Sequence, residues 1–319
     1  MVPHRVTIPD LFGRQGRSAP SPLCTVGIVP GPELPSDLDG CHVLAIPAGV
    51  DIRALAAAWF ADSGWEVFPL APQPVPESPG RGRGAVPLAQ SRPGRLRLAG
   101  QHALVGPVRL HAQEARALGL PERELDLFGL PASVSDPVAL GWLTAAARHT
   151  AGAVLSADRS QVIVPDPAAA VDLTLWTGTR LTASELVTVV RPFLAGARVE
   201  QAQTLAGAGD GAFSVAASFE FDGALTVFAQ PRDAVPVAVA AVEWGVHGPW
   251  TYHVAWVPPD PAELTAEQPS RLHLIARSRV TPVLARVVRA LLQSAGGVVI
   301  DDGGFPVSPD ELTQRATTL

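Results

Sequence analysis

The chain has 319 residues, 47% of them apolar, a mean hydropathy of +0.21 and a formal charge of −6. That apolar share excludes a disordered chain, and the lack of any apolar run of about 18 residues excludes a hydrophobic membrane-spanning helix. The negative charge argues against a general affinity for nucleic acid, because phosphate binding needs a basic face.

All 24 basic residues are arginine. Without lysine there is no Schiff-base catalysis, no pyridoxal-phosphate anchor and no phosphate-reaching lysine of a P-loop. The abundance of Ala, Val, Gly, Pro and Arg is that of a GC-rich, actinobacterial-like genome.

In chain order, residues 1–22 read as an N-terminal tail, either disordered or docking on a partner through "IPDLF". They show no apolar run of signal-peptide length, so a cytoplasmic location is expected. Cys24 and Cys41 form neither a C-x-x-C pair nor a zinc-spaced set and read as free thiols. The stretch from His42 to Leu70 reads strand, turn, helix, strand. A Pro/Gly/Arg loop follows over 71–95; its arginines have no aromatic neighbours to stack on a base, so it reads as a solvated linker.

From Asp136, a good N-cap before Pro137, a helix carries Leu140, Leu143 and Ala147 as an apolar stripe. Gly152 is the expected left-handed C-cap. A strand, "AVLSA", then turns back near Asp158 to Ser160.

The later half repeats this order. "VDLTLWTGTRLTASELV…" reads strand, turn, helix, strand. Asp222 and Gly223 make the turn of a hairpin, Gly248 and Pro249 make a second turn between the strands "PVAVAAVEW" and "WTYHVAWV", and Thr281 and Pro282 mark a helix that ends at Gly296. The strand "VVID" and the turn Asp301 to Gly304 follow, the turn reading as solvent-exposed. "GAGDGA" from Gly207 has the letters of a dinucleotide fingerprint but precedes a strand-like segment and is rejected.

The spacings define the expected architecture. Gly106 to Gly248 and His111 to His253 are 142 apart, Pro137 to Pro282 is 145, and Gly152 to Gly296 is 144. The expected fold is α+β, with two tandem homologous units from an internal duplication of roughly 145 residues. Each unit is a mostly antiparallel sheet with helices on one face. The units span 23–165 and 166–319 and pack as an intramolecular pseudo-dimer.

Candidate site residues gather in "EWGVHGPWTYHVAWVPPD", Glu243 to Asp260. With a period of two, Trp250, Tyr252, Val254 and Trp256 share one face of a strand, and Thr251, His253 and Ala255 share the other. Glu243, His247, Trp250, Tyr252 and Trp256 are the candidate ligand- or partner-binding residues, although a large aromatic stripe such as Trp250, Tyr252 and Trp256 is more often the face of a core than a binding cage, and core is the reading preferred for it. His111 and His253, matched by the repeat, are the catalytic candidates of an enzyme reading, with Glu114 or Glu243 as the carboxylate.

No metal site and no cofactor is expected. The leading functional expectation is a non-enzymatic interaction or ligand-sensing protein that takes a protein partner along a sheet edge or a small ligand between the units. A lysine-independent lyase, isomerase or hydrolase and a self-assembling structural protein are the alternatives.

Overall fold

The structure is a computed structural model and describes residues 34–70, 92–201 and 211–317, apart from 243, 246 and 267. The tail over 1–22, most of the loop over 71–95, Cys24, Glu243 and the rejected glycine motif before Gly211 lie outside these residues.

The first unit runs β1 (Cys41–Pro47), α1 (Ile52–Trp59), β2 (Gly64–Val67), β3 (Gly94–Ala99), β4 (His102–Leu110), α2 (Ala112–Ala117), β5 (Leu125–Pro131), α3 (Pro137–His149), β6 (Ala153–Leu155) and β7 (Val162–Ile163). The second runs β8 (Leu173–Thr177), α4 (Ala183–Val190), β9 (Arg198–Gln201), β10 (Phe213–Phe219), β11 (Gly223–Pro231), β12 (Trp250–Val257), α5 (Arg271–Ala295), β13 (Val298–Asp301), β14 (Pro306–Val307) and α6 (Pro309–Thr317). Gly94 and Arg95, expected in the loop, begin β3.

The fold is α+β, with two antiparallel seven-stranded sheets. Sheet one is ordered β2-β3-β4-β5-β1-β6-β7 and sheet two β14-β13-β8-β12-β11-β10-β9. Counted from its own first strand and read from the β2 or β9 edge, each is 2-3-4-5-1-6-7.

A glycine marks the same place in both. A Cβ on Gly152, just before β6, would lie 2.2 Å from the Ala45 carbonyl oxygen of β1. A Cβ on Gly297, just before β13, would lie 2.1 Å from the Trp176 carbonyl oxygen of β8. The counterpart of Gly152 is therefore Gly297, one residue beyond the Gly296 that spacing had paired with it.

Other expected correspondences are corrected by the topology. Gly106 and Pro107 lie inside β4, where the register with β5 shifts between Val105 and Val108, whereas Gly248 and Pro249 precede β12. β4 is the counterpart of β11, and β12 that of β5. The expected strand before Gly248 is instead a 3-10 turn, Val237–Val239.

Helix α5 begins at Arg271 with Ser270 as its N-cap, and Pro282 lies inside it rather than at its start. The reason is the apolar stripe, which continues upstream of Pro282: His273, Ala276 and Val280 are buried in line with Leu284, Val287 and Leu291. Thr281 donates its hydroxyl to the Arg277 carbonyl, 2.8 Å away, instead of capping a helix. At the end of α3 the left-handed residue is Ala151, φ 53°, while the Gly152 N–H bonds the Ala147 carbonyl at 2.7 Å. Asp136, Gly223 and Gly296 act as expected.

The helices do not keep to one face of sheet one. One face meets α1 and α3 through Leu44, Ile46, Leu96, Phe128, Trp142 and Leu143. The other, lined by Val43, Ala45, Leu125 and Leu127, is covered by Leu38 and by Ala115 of α2. Strands β1 and β5 are apolar on both sides and need cover on both. Sheet two packs α4, α5 and α6 on one face, with Trp250, Tyr252, Val254 and Trp256 in that core. On its other face Trp176 and Ile300 meet Val239.

The two units stack head to tail. Trp59 of α1 donates its indole N–H to the Gly303 carbonyl at 2.9 Å and stacks on Phe305, with ring centroids 6.3 Å apart. Phe305, from the β13–β14 turn, is 1% exposed within the core of the first unit. The 3-10 turn at Val237 packs against α1. The helical layer of unit one thus meets the helix-free face of unit two. Different surfaces meet, so the contact is heterologous and no two-fold axis of a pseudo-dimer relates the units. No helix among the described residues is long and apolar enough to cross a membrane.

Candidate functional site

The aromatic face of β12 is core. Trp250 and Trp256 are 3% exposed and Tyr252 is fully buried. The Tyr252 hydroxyl accepts the Leu181 N–H at 2.6 Å and donates to the Thr179 carbonyl at 3.1 Å. Burial pushes this phenol up to about 12. Trp256 donates its indole N–H to the Asp222 carbonyl at 2.7 Å, which ties β12 to the β10–β11 hairpin.

The two histidines do not meet. His111 is the N-cap residue of α2; its backbone N–H bonds the Glu114 carboxylate at 2.9 Å, and its ring, 71% exposed, stands 3.6 Å from Glu124. Glu114 is therefore a capping carboxylate. His253 lies mid-strand on the helix-free face of sheet two and shares no partner with His111. Their matched spacing arose from two unlike strands, β4 and β12. His247 is exposed in the turn before Gly248.

The structure assembles a different polar cluster around His253. Register places Thr174 between His253 of β12 and Ile300 of β13, so these three share a row. The Thr174 hydroxyl is 3.0 Å from His253 Nδ1, and Asp172 Oδ2 is 3.9 Å from His253 Nε2. Asp172 Oδ1 accepts the Trp256 N–H at 2.9 Å.

Burial, reinforced by the charge of Asp302, raises the Asp172 carboxyl to about 7 despite the stabilising Trp256 N–H. Burial lowers the His253 imidazole, with Asp302 and Arg232 acting in opposite directions. Both shifts favour the neutral form, the carboxyl protonated and the imidazole uncharged.

Beside this trio the turn after β13 carries the inter-unit polar contacts. His149 Nδ1 of α3 is 2.8 Å from Asp301 Oδ2, and Arg148 is 3.8 Å from Asp302. The other oxygen of Asp301 accepts the Phe305 N–H at 2.9 Å, and the His149 ring lies 4.7 Å from that of Phe305. Asp301 is buried, not part of the solvent-exposed turn expected from "DDGG".

Among the described residues no group of three or more His, Cys, Asp or Glu side chains is placed to hold a metal ion. Surface depressions lie elsewhere, on α4 around Ser184 and Thr188 and at one end of sheet one around Arg95 and His102. The chain matches no family model, no curated protein and no solved structure. Asp172, Thr174 and His149 carried no distinguishing signal in the sequence: an acid before a mainly apolar strand, a threonine within it and a basic residue ending a helix are each common.

Proposed function

We propose that the protein is a non-enzymatic partner-binding protein, built from a duplicated unit, that takes an extended segment of another protein along the free edge of sheet one. The observation that carries this reading is β7. It is the last strand of its sheet, and Val162, Ile163 and the following Val164 are 41%, 44% and 54% exposed. An apolar edge with free backbone groups is a template for strand addition, in which main-chain bonds supply affinity and alternate side chains supply selectivity.

The matching edge of sheet two is blunted. Pro306 has no N–H to offer, Val307 is buried, and α6 follows at once. The shared strand order and the matched Gly152 and Gly297 support the duplication.

The test is selection from a displayed peptide library. Recovered peptides that alternate apolar residues, bind the wild type and lose binding to Ile163→Lys support the reading. Binders indifferent to Ile163→Lys, or none at all, refute it.

One observation favours a second reading, a hydrolase. Thr174, His253 and Asp172 form a hydroxyl, imidazole and carboxylate series. It ranks second because the backbone N–H groups beside Thr174 lie in the ladders to β12 and β13 and leave no evident oxyanion donor. Turnover of simple aryl esters that Thr174→Val and His253→Gln both abolish would raise it to first; no turnover, or turnover that survives them, removes it.

A further inference from the structure

We propose that β7 also pairs with β7 of a second copy of this chain, in a weak, reversible dimer that a partner segment must displace. The inference rests on the same free edge as the partner reading and adds its regulation.

The free groups of that edge follow from register. In the ladder to β6, Val154 stands opposite Ile163 and Leu155 opposite Val162. The Ser156 N–H bonds the Gln161 carbonyl at 3.0 Å, which makes those two a hydrogen-bonded pair. By alternation, Val154 and Ile163 are the next such pair. Ile163 therefore turns its N–H and C=O inward to β6, while Val162 and Val164 turn theirs out to the open edge. Pro165 has no N–H to continue the inner ladder and ends it.

Such an edge fits itself. An isologous contact requires that residue i of one copy meet residue j of the other and the reverse. About a two-fold axis at Ile163, Val162 of each copy meets Val164 of the other in a hydrogen-bonded pair, and every outward group of the edge is used. The two Ile163 residues form the non-hydrogen-bonded pair between them, with Cα atoms about 4.5 Å apart and β-branched side chains in contact. The run Val-Ile-Val reads the same in both directions, so apolar meets apolar at each place. The next pair sets Pro165 against Gln161, at a position that asks no N–H of the proline. No residue from Ser160 to Pro165 is charged, so the edge lacks the charge that ordinarily keeps a second copy away. Asp166, the first charge beyond, is held by Arg277 at 2.5 Å.

A contact this small belongs to the weak, transient class. One edge cannot hold two strands, so the second copy and the partner segment compete by mass action.

Sedimentation equilibrium of the full chain is the test. The weight-average mass is expected to rise from 33.2 kDa toward twice that value as the protein is concentrated from about 10 μM to about 1 mM. Ile163→Lys, which sets two ammonium groups side by side on the axis, should stay monomeric. Ile163→Cys, in a Cys24→Ser background, should form an intermolecular disulfide about tenfold faster than Val162→Cys, whose thiols lie across a diagonal of about 7–8 Å. Peptides selected on the edge should return the mass to one chain. A wild type that stays monomeric, growth past two chains, a dimer that survives Ile163→Lys, equal cross-linking rates, or a dimer indifferent to saturating peptide overturns the proposal. Peptide binding is read separately: a monomer that binds peptide through Ile163 keeps the partner reading, and a dimer that binds none refutes that reading alone.

Discussion

Removal of a single oxygen, by Tyr252→Phe, tests how the second unit is held together. The Tyr252 hydroxyl receives the Leu181 N–H at 2.6 Å and gives its proton to Thr179, so it pins the turn between β8 and α4 to the buried face of β12. Phenylalanine fills the same ring volume, so no large cavity term arises. The Thr179 residue is exposed, and its carbonyl can be rehydrated at little cost. Leu181 is only 9% exposed, however, and its orphaned N–H bears a desolvation penalty of about 1–3 kcal/mol.

The expected loss is therefore about 2 kcal/mol, read by urea denaturation as a lower midpoint with an unchanged slope. Tyr252→Leu should lose more, because the cavity left by the ring adds to the lost bond. A Tyr252→Phe loss below about 0.5 kcal/mol, the scatter expected of a surface change, would show that the hydroxyl is not the clamp described.

Other outcomes follow from the same geometry. Gly297→Ala, at φ 116° and with a Cβ driven against the Trp176 carbonyl, should cost about 3 kcal/mol or more in a melting experiment. Gly296→Ala, at φ 66° in open space, should cost about 1 kcal/mol, and equal losses would refute the pairing of Gly152 with Gly297. Asp172 is raised, so the native state holds a proton that the unfolded state releases, and this contribution to stability is lost as pH rises from about 4 through 7. His253, being lowered, acts the other way, its contribution present above pH 6.5 and lost as pH falls below it. Urea midpoints of Asp172→Asn should accordingly decline less than wild type between pH 5 and 8, and a parallel decline would refute that assignment. Ile163→Lys should leave the melting temperature unchanged while removing peptide binding; a large destabilisation would mean that β7 is structural.

What the sequence determined by itself is local and periodic. The α+β class, the Asp136 cap, the turn at Gly223 and the buried face of β12 follow from cap chemistry, glycine conformation and a period of two, each set within a few residues. The same local rules misplaced the start of α5. A Thr-Pro pair resembles a helix start, and only the burial of His273, Ala276 and Val280 against sheet two extends the helix through it.

The tertiary structure alone decided the rest. Letters matched at a spacing of 142 brought His111 and His253 together on paper, but strand order assigned them to unlike elements. Conversely, Asp172, Thr174 and His253 became one cluster because β8 entered the sheet beside β12, more than seventy residues away in the chain. Head-to-tail stacking was likewise invisible to the sequence. It depends on which apolar face each sheet leaves for the other to cover, and the contact of Trp59 with Gly303 joins residues separated by 244 positions.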